Sequence, residues 1–226
     1  MLARPERPSL DSRLDSSPAN TTAAPRILTI LSYVLEKLVA RNDRLSEVLR
    51  GDRNGAGKSL NGFHGVRAPG ISIPKYLERI YKYTNCSPSC LVVGYVYIDR
   101  LVHRHPNSLV VSLNVHRLLV TSIMVASKML DDVHYNNAFY ARVGGVTNTE
   151  LNRLELELLV LLGFRVMVSS RVFETYCLHL EREMVVNGEG HRIGKPLLLP
   201  PTEEEAVQEV IEDSIDASSP VSRTAE

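Results

Sequence analysis

Cysteine is scarce in this sequence of 226 residues, which contains only Cys86, Cys90 and Cys177. Three cysteines at these spacings provide no disulfide framework of the kind that stabilises small secreted domains. The first 24 residues also lack the apolar segment of a signal peptide, because arginines and acidic residues are scattered through them. We therefore expect a protein of reducing compartments, namely the nucleus and the cytoplasm.

An excess of charge is absent as well. Lysine plus arginine and aspartate plus glutamate each number 26, so no overall electric field favours nucleic acid or a membrane surface. The longest apolar runs are interrupted by charged or polar residues well before the ~20 residues that a membrane-spanning helix needs. The sequence thus predicts a protein that binds neither nucleic acid nor a membrane.

Complete motifs for catalysis or for a cofactor are also lacking. The segment GAGKS at 55–59 resembles part of a phosphate-binding loop, but that loop needs a glycine five positions before Gly57, where Asp52 stands. The CxxxC spacing of Cys86 and Cys90 has no second cysteine pair or suitable histidine pair, so we expect no metal site. We predict a protein without enzymatic activity or a cofactor of its own.

What the sequence does contain is helical periodicity, most clearly over 114–132. Apolar side chains cover most of the circumference of this segment, which predicts a central helix enclosed by others. Its polar residues fall on one line and predict a single edge that reaches the surface; they are Asn114, Arg117, Thr121 and Lys128. Lys128 lies near the C-terminal end of the helix, where the helix dipole favours a cation.

The remaining periodic segments predict an all-α fold of about seven helices without a sheet. A first helix follows Pro25 and is expected to end at Asn42–Asp43, before a flexible Gly-rich loop over 50–70. Gly94 falls in the middle of a deeply placed helix and indicates a close helix crossing, because glycine lowers helix propensity there.

The domain organisation follows from where periodicity stops. Residues 1–24 and 187–226 have no core-forming pattern, and the second of these segments is acidic, so both are predicted to be disordered tails. One domain is therefore expected over 25–186.

A predicted helix over 147–164 carries one charge in an unusual place. Glu155 projects onto the edge of the leucine stripe, whereas Leu156 and Val160 project onto the polar side. An acid in this position either pairs within its own domain or contacts a partner. The sequence pattern leaves both readings open.

Three segments carry a family resemblance: YVYIDRLVHRHP at 95–106, HRLLVTSIMVASKMLDD at 116–132 and NNAFYARVGGVTNTELNRLELELL at 136–159. They resemble the second to fifth helices of a cyclin box, in the same order and spacing. The range 25–184 as a whole resembles the plant U-type or P-type cyclins, which are similar to the yeast phosphate-signalling cyclin. The resemblance implies a single cyclin box with an extra N-terminal helix and one following helix.

The resemblance implies a regulatory subunit that binds and activates a cyclin-dependent kinase, with an A-type kinase as the expected partner. Such a subunit controls cell division or nutrient-linked signalling by holding the mobile helix of the kinase in its active position. Lys128 and Glu155 match residues through which cyclins contact the kinase. Asp99, in a largely apolar helix, is interpreted as a structural residue that is paired inside the domain.

The sequence departs from the cyclin pattern in its first box helix. The methionine-arginine motif of mitotic cyclins is replaced by SIPKYLERI at 72–80, and the sequence has no tryptophan. In cyclins an arginine of this motif usually pairs with the aspartate that corresponds to Asp99. That arginine is missing here, and Lys75 or Arg79 is the candidate replacement.

An alternative function is that of a cyclin-fold adaptor of the transcription-factor type, which would bind protein or DNA without a kinase. DNA binding requires a basic surface. The net charge of zero argues against it.

Overall fold

Seven α-helices and one short 3-10 helix make up the computed structural model over the residues that it describes, 25–49 and 58–186. The α-helices are α1 (Arg26–Leu49), α2 (Ile73–Thr84), α3 (Pro88–Arg104), α4 (Val115–Leu130), α5 (Asn137–Gly144), α6 (Asn148–Leu161) and α7 (Ser170–Val186), and the 3-10 helix is Lys58–Phe63. No strand occurs in these two ranges, so the predicted all-α class is confirmed. The predicted tails and the glycines of GAGKS lie outside the described residues.

Helix α4 is the centre of the fold, as its sequence predicts. All of its residues from Leu118 to Ser127 are buried. It packs against α2, α3, α5, α6 and the 3-10 helix. None of the described helices is both long and apolar enough to cross a membrane.

The predicted polar line of α4 does not form a continuous surface edge. Asn114 and Thr121 are fully buried. Asn114 accepts a hydrogen bond from the Val111 amide at 2.8 Å, and the Thr121 hydroxyl donates to the Arg117 carbonyl at 2.7 Å. Local backbone partners thus satisfy these two polar groups, and only Arg117 and Lys128 of the line reach solvent.

Helices α3 and α4 form the most extensive contact between helices. They meet at Gly94, where an added Cβ would lie 3.0 Å from Ile123 Cγ1 and 3.2 Å from the Ile123 backbone nitrogen. The close crossing that Gly94 indicates is therefore confirmed, and a larger residue at this position would push the two helices apart.

Helix α1 does not end at Asn42–Asp43 but continues to Leu49. Asn42 donates to the Val110 carbonyl at 2.9 Å, and Asp43 accepts from both the amide and the hydroxyl of Ser112. Asparagine and aspartate usually end helices because their side chains compete for the local backbone. Here both side chains bind a distant loop, so the helix is not interrupted.

The predicted flexible loop over 50–70 is wrong for its central part. Residues 58–63 form the 3-10 helix, whose Leu60 and Phe63 side chains are buried against the core. Two apolar side chains among glycines and polar residues are too few to create a periodic pattern.

Candidate functional site

Lys128 and Glu155 come together at the surface, although the sequence predicted only that each lies at an edge. Lys128 is in the last turn of α4, and its Nζ lies 2.5 Å from Glu155 Oε1 on α6. Their side chains are 28% and 18% exposed, respectively. The pair is therefore neither buried nor fully solvated, so both groups can be reached by a partner while they hold each other in place.

Asn137 completes this polar cluster from a third helix. Its Nδ2 donates to Glu155 Oε2 at 2.6 Å and to Asn152 Oδ1 at 2.7 Å. The preceding residue, Asn136, caps α5 by accepting a hydrogen bond from the Phe139 amide at 3.0 Å. Sequence reasoning missed Asn137; two asparagines before a short helix indicate a cap, but not a contact with α6.

Exposed apolar side chains lie close to the pair in sequence on both helices. Met129 follows Lys128 and is 44% exposed, while Leu156 follows Glu155 and is 64% exposed. Val160, one turn beyond Leu156, is also exposed. The projection of Leu156 and Val160 away from the leucine stripe is confirmed. Met129, Leu156 and Val160 are the exposed apolar side chains near the pair in sequence, and they are called its apolar border below; exposed apolar side chains beside charged groups are a feature of protein-binding surfaces.

A second ion pair joins the same two helices in different surroundings. Arg117 Nε of α4 lies 2.7 Å from Glu150 Oε1 of α6, with side-chain exposures of 23% and 28%. Glu150 belongs to the first turn of α6, where Thr147 accepts a hydrogen bond from the Glu150 amide at 3.1 Å. The residues that follow the pair in sequence, Leu118 and Leu151, are fully buried.

Asp99 lies between α3 and α7, away from any exposed edge. It is 9% exposed and accepts a hydrogen bond from the Tyr176 hydroxyl at 2.6 Å, with His103 Nδ1 at 3.4 Å. Burial raises the pKa of the Asp99 carboxyl, while the Tyr176 hydrogen bond and the nearby His103 oppose this shift. Its role as a structural residue stays a prediction.

The expectation that Lys75 or Arg79 pairs with Asp99 is wrong. Arg79 points its guanidinium at the Arg142 carbonyl, at 3.4 Å, and the groups that bind Asp99 are Tyr176 and His103. A phenol is a suitable partner at this depth, because it can donate a hydrogen bond without the cost of burying a cation.

The thiols near the start of α3 are packed into the core. Cys86 and Cys90 are both buried, and Cys90 Sγ donates to Asp131 Oδ2 at 3.2 Å. Over residues 25–49 and 58–186, no group of three or more histidine, cysteine, aspartate or glutamate side chains is arranged to hold a metal ion.

Comparison with known proteins identifies the family of this chain. The cyclin family model matches residues 25–166. Cyclin-U1-1 of Arabidopsis thaliana is 66% identical over 187 residues, which cover 83% of this chain and 87% of that protein. Cyclin-P3-1 of Oryza sativa subsp. japonica is 46% identical over 79% of this chain and 73% of its own length. The chain therefore belongs to the cyclin family, whose members are regulatory proteins rather than enzymes.

Proposed function

We propose that the protein is the regulatory subunit of a cyclin-dependent kinase, and that the Lys128–Glu155 pair with its apolar border is the kinase-binding edge. The observation that carries the proposal is the partly exposed ion pair, with the exposed apolar residues Met129 near it in sequence on α4 and Leu156 and Val160 on α6. Membership of the cyclin family supports the class of partner.

The pair retains unused hydrogen-bonding capacity. A lysine ammonium has three donors, and the Lys128–Glu155 contact uses one of them. Each oxygen of Glu155 accepts one hydrogen bond within the domain and has a second lone pair. The edge can therefore offer both donors and acceptors to the backbone of a partner helix.

The apolar border gives these polar contacts their strength. When a partner covers Met129, Leu156 and Val160, it removes their apolar surface from water and lowers the local dielectric around the pair. A mobile kinase helix bound in this way would be held in the position that keeps the kinase's own Lys–Glu pair assembled. The cyclin thus acts by packing and orientation, without chemistry of its own.

The biological setting is an extension of the same proposal. An A-type cyclin-dependent kinase is the expected partner, and the process is cell division or nutrient-linked signalling. We expect the complex in the nucleus and the cytoplasm.

A charge swap separates a kinase-binding role from a role in the fold alone. Lys128→Glu and Glu155→Lys each place like charges together, whereas the double variant restores an opposite pair in reversed order. Because truncating one partner of a buried interfacial pair costs about 2–5 kcal/mol, and an exposed pair contributes only about 0–1 kcal/mol, we expect each single variant to bind the kinase at least about tenfold more weakly.

The double variant is decisive. Its melting temperature should recover most of what the single variants lose, because an opposite pair within the domain is restored while the Asn137–Glu155 hydrogen bond is not. Its kinase affinity should stay reduced, because the partner meets reversed charges. Binding is measured by calorimetry against a panel of purified cyclin-dependent kinases. Recovery of affinity in the double variant, or no binding of the wild type to any kinase of the panel, would overturn the proposal.

The second ion pair provides the matched control. Arg117→Glu combined with Glu150→Arg is the same swap between the same two helices, at similar exposure but with buried leucines at the positions that follow on both helices. It should leave kinase affinity within about twofold of the wild type, since a non-interfacial surface pair contributes little.

A further inference from the structure

Glu155 is held from two sides, by Lys128 of α4 and by a residue of α5. Its Oε1 accepts from Lys128 and its Oε2 accepts from Asn137, which belongs to the short helix α5. A carboxylate with a donor on each oxygen cannot rotate without breaking one of the two hydrogen bonds. Its orientation is therefore fixed jointly by α4 and α5.

The amide of Asn137 is itself fixed by two acceptors on α6. One hydrogen of Nδ2 goes to Glu155 Oε2 and the other to Asn152 Oδ1, which lies one turn before Glu155. An amide group has only two such hydrogens, so both are used. The reversed orientation would bring the amide oxygen of Asn137 against the Glu155 carboxylate, where the two oxygens repel each other.

The backbone of Asn137 is positioned by the start of α5. Asn136 caps this helix through its hydrogen bond from the Phe139 amide, and the end of α5 is fixed by Gly145 in the left-handed conformation at φ 72°. Asn137 thus projects from a defined helix start toward α6 and is not carried by a loose loop.

From this arrangement we propose that Asn137 is a positioning residue: it holds Glu155 in the orientation that the kinase meets, so that the Lys128–Glu155 pair is organised before the kinase binds. The inference rests on the proposed function. Its physical basis is preorganisation, because a side chain that is already fixed loses less conformational freedom when the complex forms.

The first test is the kinase affinity of Asn137→Ala. Fixing one side chain corresponds to about 0.5–1.5 kcal/mol, so we expect binding to weaken about two- to tenfold. Asn148→Ala is the matched control, because Asn148 is the first residue of α6 as Asn137 is of α5, and it is exposed. Wild-type affinity in Asn137→Ala would overturn the inference.

Two further variants distinguish positioning from packing. Asn137→Asp keeps the shape but replaces the donor with a carboxylate, so it should bind the kinase more weakly than Asn137→Ala. In a Glu155→Ala background, Asn137→Ala should have no further effect on affinity, because the group that it positions is gone. An unchanged Asn137→Asp affinity, or equal losses in both backgrounds, would show that Asn137 acts by packing or independently of Glu155.

An NMR measurement on the free protein keeps this inference separate from the proposed function. The resonance of the Glu155 side-chain carboxyl carbon should move in Asn137→Ala and stay in place in Asn148→Ala. If the wild type binds no kinase, the proposed function fails while this measurement still decides whether Asn137 holds Glu155. A resonance that does not move overturns the positioning role.

Discussion

The two ion pairs that join α4 to α6 are alike in chemistry and different in surroundings. Arg117–Glu150 and Lys128–Glu155 have similar exposure, and each pairs a cation of α4 with a glutamate of α6. The first lies over buried leucines at the start of α6, where the helix dipole favours the Glu150 carboxylate. The second has exposed apolar side chains at the positions that follow it on both helices, and an additional donor from Asn137.

The difference shows how little the presence of an ion pair says about its role. At such exposure, a pair adds only about 0–1 kcal/mol to stability. What distinguishes the two pairs is the surface beside them, because apolar side chains left in water at one edge gain free energy when another protein covers them. Asp99 is a third carboxylate, buried between α3 and α7, against which the two exposed pairs can be compared.

The largest effect is a loss of stability in Asp99→Ala, because this buried carboxylate is predicted to stabilise the fold. Its loss leaves the buried Tyr176 hydroxyl without an acceptor, so the free energy of unfolding should fall by about 2–3 kcal/mol. Chemical denaturation measures this change. Glu174→Ala, at an exposed position of α7, is the control and should be nearly neutral; an equal loss in both variants would contradict the structural role of Asp99.

The next largest effect is a loss of kinase affinity when the apolar border beside the Lys128–Glu155 pair is removed. Changing both Leu156 and Val160 to serine removes apolar surface that the kinase would cover, and should cost about 1–2 kcal/mol of binding, or roughly tenfold. Stability should hardly change, because both side chains are exposed in the free protein. Leu178→Ser, at an exposed leucine of α7, is the control, and equal binding losses in both proteins would argue against a kinase-binding border.

A smaller effect is expected at the other pair. Glu150→Ala removes the contact with Arg117 and a negative charge near the start of α6, which together should lower stability by about 1 kcal/mol. Kinase affinity should be unaffected. If calorimetry instead finds a large loss of affinity in a folded variant, the two pairs do not differ in role and the comparison fails.

The smallest expected effect is the pH dependence of the stability difference between the wild type and Asp99→Asn. Because burial raises the pKa of Asp99, the folded protein holds this proton more tightly than the unfolded chain does. The stability of the wild type relative to Asp99→Asn should thus be greatest below the unfolded pKa of about 4 and should decrease as pH rises through the raised folded pKa. Denaturation of both proteins across this pH range measures the difference, and an increase with pH would contradict it.

Some features of the fold and the site could be predicted because they depend on the chain locally. The enclosure of α4 follows from apolar residues around most of its circumference. The exposure of Leu156 and Val160 follows from projection on a single helix.

Other features could not be predicted because they depend on which helices meet. Helix α1 passes through Asn42 and Asp43 because a loop about 70 residues later in the chain binds their side chains. The hydrogen-bond donor to Asp99 is Tyr176 of α7, whereas the sequence suggested Lys75 or Arg79 of α2.

The sequence by itself determined an all-helical chain, its central helix and two charged residues at the edges of apolar surfaces. Only the tertiary structure decided that Lys128 and Glu155 touch each other and that Asn137 completes the cluster. The physical reason is that periodicity reports which side of a helix faces the core, whereas a contact between side chains also depends on the angle and the distance at which helices cross.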